Sequence, residues 1–357
     1  MTGQSPAETS LITYHFWPIP FRLYYIKMEK RTYLWHQLEQ LSDSDFAFEA
    51  LAMEVFHFQS VHNPLYAQFL SLLGRDASTV KKLVDIPFLP ISFFKSHEIK
   101  TGQWHTSTVF SSSGTTGQIP SQHFVRENNL YLNNCVRGFT AHYGDPKDWM
   151  VLALLPSYLE RTGSSLVAMA DHFIQRSRYK ESGFFLHNLK DLQEILKKRP
   201  KNVPVLLLGV SFALLDFAEQ FPMDLTGVTI METGGMKGRR KEMTRAELHD
   251  TLCAAFQVNA IHSEYGMTEL FSQGYAKGGH LFAPCATMRV HTTEINDPFC
   301  PAKLGRTGLI NVIDLANIDT CCFIATEDLG KVHANGQFEV LGRLDTSEMR
   351  GCNLMVE

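Results

Sequence analysis

The sequence predicts an α/β protein: a mostly parallel, helix-flanked sheet followed by a smaller β-rich subdomain. Three observations carry this. Uncharged, strand-like runs at 149–155, 203–208 and 228–231 alternate with helical stretches of ten or so residues, which is how strands buried on both faces of a parallel sheet read. After Gly266 the helical period disappears, and short β-rich runs are separated by turns such as Asn296-Asp297 and Asn335-Gly336. Between a helical opening and the alternating region stands SSSGTTG, residues 111–117, with five hydroxyl side chains and two glycines.

In chain order, residues 1–27 are expected to be an extension, disordered or arising from a non-native start, with the working chain beginning near Met28. The aromatic, apolar stretch 11–26 contains Pro18 and Pro20 and lacks a basic start, so it makes a poor signal peptide. Residues 28–100 form a helical N-terminal part. Asp43 or Ser44 caps a helix whose apolar face carries Phe46, Phe48, Leu51, Val55 and Phe56. A second helix starts at Asn63-Pro64 and stops at Gly74, and a third is expected over 78–84. Pro87 and Pro90 then break regular helix. Residues 101–285 form the α/β body. It has a strand at 106–110, helices at 127–139, 164–175, 189–198, 212–221 and 244–256, and strands at 149–155, 184–186, 203–208 and 228–231. Thr244 is the expected cap of the last helix. Residues 286–357 form the β-rich subdomain and tail, with strands expected at 288–295, 308–315, 321–326 and 337–341.

Composition narrows the function. Hydrophobic residues at 44% and charged residues at 20% are ordinary globular values. A net charge of −4 leaves no electrostatic footprint for nucleic acid. No apolar run reaches the length of about 18 residues that spans a bilayer. Seven cysteines without a CxxC pair read as free thiols in a reducing compartment, and the expected location is the cytoplasm. Fifteen histidines show no HExxH-like spacing, which argues against a protein-held transition metal.

The chemistry lies in polar clusters. Gly114 and Gly117 let successive backbone N–H groups turn toward one anion, and the surrounding hydroxyls add donors. It is neither a Walker A loop nor a GxGxxG fingerprint. Ligands of open parallel sheets bind at the carboxyl ends of strands. Thr233-Gly234-Gly235, Ser263-Glu264-Tyr265-Gly266-Met267-Thr268-Glu269 and Thr326-Glu327-Asp328-Leu329-Gly330 are each expected just after a strand, with Gly342-Arg343-Leu344-Asp345 last.

In this order the clusters resemble the motif series of the adenylate-forming superfamily: acyl-CoA synthetases, luciferases and nonribosomal adenylation domains. The resemblance covers roughly residues 85–357. Within it, Pro87-Phe88-Leu89-Pro90, Phe94-Lys95, the Ser-Ser-Gly-Thr loop and Arg350-Gly351-Cys352-Asn353-Leu354 look most like the acyl-protein synthetase family of bacterial luminescence fatty-acid reductases. The resemblance implies the N-terminal-domain architecture of these enzymes, with ATP and Mg²⁺ as cofactors. Ser112, Ser113, Gly114, Thr115, Thr116 and Gly117 would cradle the β- and γ-phosphates. Gly235 would lie along the adenine, and Tyr265, beside Gly266, would stack on it. Thr268 would bond the α-phosphate, Glu269 would hold Mg²⁺, Asp328 would accept from the ribose, and Arg343 would reach ribose or phosphate.

The chain departs from the superfamily pattern in three places. Pro120-Ser121 replaces Pro-Lys, and Met349 stands where a lysine is usual. The sequence also stops just past the last motif, so the usual mobile C-terminal domain and its assisting lysine are expected to be absent. Lys95, Lys237 or a partner is left to supply the cation. The expected reaction is ATP-dependent activation of a carboxylic acid, fatty by resemblance, to an acyl adenylate. The acyl group then passes to a thiol, which the resemblance identifies with Cys352, near Arg350, and onward to an acyl reductase or acyltransferase partner. Two alternatives stay open: an acyl-CoA or aryl-CoA ligase, and a non-catalytic nucleotide- or acyl-binding protein.

Overall fold

The computed structural model describes residues 30–41, 45–112, 119–156, 163–234 and 243–344. Its first elements are helix α1 (30–39), α2 (Asp45–His62) and α3 (Pro64–Leu72). The start of α3 is as read: the Asn63 side chain accepts from the Tyr66 N–H, and Pro64 takes a first-turn position where its missing N–H costs nothing. The third helix expected over 78–84 does not form. Two short 3₁₀ turns, Ala77–Thr79 and Leu83–Asp85, stand there instead. The Asp76 carboxylate caps the first by accepting from Ser78 N at 2.8 Å, and Val80 then turns extended to bury its side chain. A two-residue strand β1 (Leu89–Pro90) and short helix α4 (Phe93–Ser96) follow.

Strands β2 (Thr108–Ser111) and β3 (Gln122–Val125) pair antiparallel, from Thr108↔Val125 to Ser111↔Gln122. The Ser-rich stretch is therefore carried by a hairpin outside the large sheet. Only its first strand is expected from the sequence; the second, Gln-His-Phe-Val, is half polar and does not read as a strand.

The body then alternates in earnest: α5 (Asn128–Tyr143), β4 (Met150–Leu154), α6 (Ser165–Arg176), β5 (Gly183–Phe184), α7 (Leu189–Lys198), β6 (Val205–Val210), α8 (Ser211–Gln220), β7 (Val228–Thr233), α9 (Arg245–Phe256) and β8 (His262–Tyr265). With β9 (Gly274–Ala276) and β10 (Ala283–Pro284) these strands make a seven-stranded sheet in the order β10-β9-β8-β7-β6-β4-β5. The five from β8 to β5 are parallel, and β9 and β10 add antiparallel. Every residue of β4 and β6 is buried, which explains their lack of charge. Helix α7 inserts Leu192 and Leu196, one turn apart and fully buried. Helix α9 opens with a capping box: Thr244 accepts from Glu247 N while Glu247 accepts from Thr244 N.

The second sheet holds β11 (Met288–Glu294), β12 (Asp297–Pro301), β13 (Gly308–Asp314), β14 (Phe323–Val332) and β15 (Phe338–Arg343), joined at one edge by β1. It is antiparallel except where β1 lies parallel to β14, Leu89↔Ile324. The Thr326 to Gly330 stretch, expected as a post-strand turn, lies inside β14, the longest strand. Strand periodicity explains its composition: Thr326, Asp328, Gly330 and Val332 share the buried face. Gly342-Arg343 likewise ends β15 rather than following it. Glycine is required at 330, where a Cβ would come within 2.2 Å of the Glu339 carbonyl oxygen.

Buried polar contacts join these parts. The Asp314 carboxylate, fully buried at the end of β13, accepts from the backbone N–H groups of Phe271 and Ser272 at 2.7 and 2.9 Å. Gln59 and Asn63 at the end of the helical part donate to the carbonyls of Asn317, Ile318 and Thr320. Arg31 grips the Asp319 carboxylate with two nitrogens, at 3.0 and 2.5 Å. No described helix is long and apolar enough to cross a membrane.

Candidate active site

A cleft of about 700 Å³ opens between the carboxyl ends of the parallel strands and β14 and β15. Of the residues singled out in the sequence, Ser112, Tyr265, Gly266, Thr268, Glu269, Asp328 and Arg343 all line it. They come from the position just after β2, from β8 with its following loop, and from β14 and β15. Ser113, Gly114, Thr115, Thr116, Gly117, Gly235, Lys237, Arg350 and Cys352 lie outside the described residues.

The neck of the Ser-rich hairpin is closed twice. Ser112 N donates to the Ser121 carbonyl at 3.1 Å, and Ser121 N donates to Ser112 Oγ at 2.9 Å. These two bonds hold Ser112 and Ser121 together at the cleft, beside Glu269. The Glu269 residue is only 6% exposed. Burial raises its acid pKa, while the Ser121 hydroxyl and the positive charges of Arg343 and Lys95 pull it back down. Lys95, from α4, also lines the cleft.

Tyr265 ends β8. Its ring packs on Phe282 and Phe338, with centroids 5.9 and 5.3 Å away, and its hydroxyl donates to Asp328 Oδ2 at 2.9 Å. Burial, and then the Asp328 charge, push the phenol well above its ordinary pKa, so it stays a donor. Arg343 sits opposite Asp328 in the β14–β15 register and reaches Asp328 Oδ1 at 3.4 Å. Both Asp328 oxygens thus have partners, yet a carboxylate has about four acceptor sites and two remain for a ligand.

The loop after Tyr265 owes its shape to two side chains that sequence reasoning missed. His123, fully buried on β3, donates through Nδ1 to the Thr268 carbonyl at 2.8 Å. Burial drops its pKa to about 4, so the ring is neutral, and Nε2 accepts from the Thr320 hydroxyl at 3.0 Å. Asn317 Nδ2 donates to the Glu269 carbonyl at 2.8 Å. The signals were there only in part: His123 stands in a half-polar strand, and Asn317 in a 3₁₀ turn after β13.

The donor set tests the implied metal. A buried carboxylate facing phosphate-sized space is the hard oxygen ligand that Mg²⁺ takes, with the remaining positions left to phosphate and water. Among the described residues no group of three or more His, Cys, Asp or Glu is placed to hold a metal. Glu269 therefore fits as the one carboxylate of a metal shared with a ligand, not as part of a self-sufficient cage.

No protein-family model matches the sequence, and no curated protein matches it. Solved structures do match. MatB from Rhodopseudomonas palustris with ATP bound is 17% identical over 69% of this chain and 49% of its own, with a TM-score of 0.50. This chain thus spans about half the length of MatB. A 2-hydroxyisobutyryl-CoA ligase in its postadenylation state, in complex with 2-HIB-AMP, is 14% identical over 84% of this chain and 68% of its own, with a TM-score of 0.64. The same ligase in its thioesterification state with 2-HIB-AMP and CoA gives 16%, 85%, 68% and 0.64. The chain has the α/β fold of the N-terminal domain of adenylate-forming enzymes.

Proposed function

We propose that this protein activates a carboxylic acid with ATP. The acid's oxygen attacks the α-phosphorus, pyrophosphate leaves, and the acyl adenylate passes its acyl group to a thiol. The observation that carries this reading is the meeting of Tyr265, Glu269, Asp328, Arg343, Ser112 and Lys95 on one cleft from five separate stretches of chain. Tyr265 offers an aromatic face for the base, and Asp328 offers acceptor sites for ribose hydroxyls. Thr268 supplies a hydroxyl for the α-phosphate, and Arg343 a guanidinium for ribose or phosphate. Ser112 and the hairpin loop it closes cradle the terminal phosphates. Glu269 would hold Mg²⁺, which would supply charge neutralisation of those phosphates. Catalysis is then mainly positioning and electrostatic stabilisation. Lys95 is the assisting cation in this reading, because it lines the cleft and its charge reaches Glu269.

The acceptor is the second half of the proposal. An acyl adenylate is a mixed anhydride and a thiolate attacks it readily. The sequence resemblance points to Cys352, with onward transfer to an acyl reductase or acyltransferase and a fatty acid as substrate. A competing reading, external CoA, is favoured by the fold shared with a ligase crystallised with CoA. One experiment separates them: incubation with Mg·ATP and mixed carboxylates, followed by intact mass spectrometry with and without CoA. A hydroxylamine-labile adduct on Cys352, lost in Cys352→Ser, supports self-acylation. A thioester that requires CoA and survives Cys352→Ser supports the ligase. Nucleotide binding without pyrophosphate release, across the acid panel, would leave only a binding protein.

A further inference from the structure

The cleft has a second lining, made by α6, the end of β4 and β8, that the nucleotide contacts leave unused. Leu155, Val167 and Met169 make it apolar. Glu264, in the middle of β8 and 8% exposed, interrupts that surface. Its Oε2 accepts from the Thr233 hydroxyl at 2.5 Å. Its Oε1 lies against Gly266, where a Cβ would come within 2.3 Å of it. That position admits only glycine while the carboxylate stays where it is.

Glu264 is short of donors. The nearby Arg245 and His249 face Glu232 instead, at 3.4 and 3.6 Å. Among the described residues no cation forms an ion pair with Glu264, and the Tyr131 hydroxyl is spent on the Ser165 carbonyl at 2.8 Å. A buried acceptor without a donor is costly, and a buried carboxylate more so. Burial and the Glu232 charge accordingly push the Glu264 acid up to about 7, against the pull of the Thr233 hydroxyl. An unbroken alkyl chain laid along this surface removes water and supplies no donor. A ligand bearing a hydroxyl or an amine supplies the donor that the second Glu264 oxygen lacks.

We propose that the acid taken by this cleft carries a hydrogen-bond donor, a hydroxyl or an amine, received by the Glu264 carboxylate, so that Glu264 sets specificity against plain alkyl acids. This rests on the reading that the cleft takes an acid beside ATP, and it departs from the plain fatty acid that the sequence resemblance implies. The test is direct binding to the full chain by isothermal calorimetry, with and without α,β-methylene ATP. The probes are straight-chain acids of graded length, each against its hydroxy and amino counterparts.

Wild type should prefer the donor-bearing member by about tenfold or more. Glu264→Leu should level or reverse that preference. Glu264→Gln keeps an oxygen for Thr233 and turns an uncharged NH2 toward the ligand, from which a hydroxyl can accept and an ammonium cannot, so it should retain the hydroxy acid and lose the amino acid. It is also the variant to rely on if the leucine change fails to fold. Equal binding of alkyl and donor-bearing acids, or a preference that survives in Glu264→Gln for both donors, overturns the proposal. Selective binding of the donor acid without pyrophosphate exchange upholds it and overturns only the adenylation reading.

Discussion

Tyr265 and Asp328 are 63 residues apart in sequence and joined by one hydrogen bond, the phenol donating to the carboxylate at 2.9 Å. The bond ties the end of β8 in the parallel sheet to the middle of β14 in the antiparallel one. Tyr265→Phe keeps the ring packed on Phe338 but leaves Asp328, 7% exposed, with only Arg343 as a side-chain partner among the described residues, and that side chain is 67% exposed. A hydrogen bond to a buried charge contributes about 1.5–3 kcal/mol. Urea denaturation should show a loss in that range. If the roles proposed for these residues hold, the affinity for ATP should fall with it, because the released carboxylate no longer holds its place for the ribose.

Glu269→Gln should separate stability from chemistry. Burial disfavours the ionised carboxylate in the folded protein, so removing the charge should leave the melting temperature unchanged or higher. Mg²⁺-dependent ATP–pyrophosphate exchange should fall by about a hundredfold or more, as expected when a group aimed at developing charge is lost. A variant that melts lower and keeps its exchange rate would make Glu269 structural.

The two halves of the fold were legible to different degrees, for physical reasons. Strands β4 and β6 announce themselves because burial on both faces strips them of charge, and α9 because Thr244 and Glu247 cap each other. Tyr265, Glu269 and Asp328 could be picked out as polar residues in an ordered series, but their convergence is tertiary. Asp328 shows why a motif is not a turn: its neighbours alternate with the pleat of a ten-residue strand, and the acid is buried by that alternation. Strand β3, Gln-His-Phe-Val, was invisible because half of its four residues are polar, and His123 went unseen with it. The donor shortage at Glu264 could not be read from sequence at all, since it depends on Arg245 and His249 facing Glu232 instead.

Lys95→Ala tests whether α4 supplies the cation. Among the described residues, Lys95 and Arg343 are the charges that pull on the Glu269 acid, from distant parts of the chain. The alanine variant should bind ATP within a few-fold of wild type but lose about ten- to a hundredfold in pyrophosphate exchange, with Lys95→Arg restoring part of it. Equal losses in binding and exchange would place Lys95 in ground-state binding alone.

His123 should give the protein an acid-sensitive hinge in the same loop. The neutral ring donates to the Thr268 carbonyl and accepts from Thr320, while stacking on Phe271 at 4.6 Å between centroids. Its pKa lies at about 4 in the folded chain against an ordinary 6.5. The unfolded chain therefore binds the proton first. The stabilisation is complete above pH 6.5 and is lost as pH falls through that value toward about 4, in total about 3 kcal/mol. The raised acids of Glu264 and Asp314, at about 7 and about 6, slope the other way. The measurement is therefore the difference between wild type and His123→Phe in urea stability from pH 4 to 8. The variant should be less stable at pH 8, because the Thr268 carbonyl loses its donor, and the two curves should converge toward pH 4. A constant gap across that range would mean that the ring's protonation has no part in holding the loop.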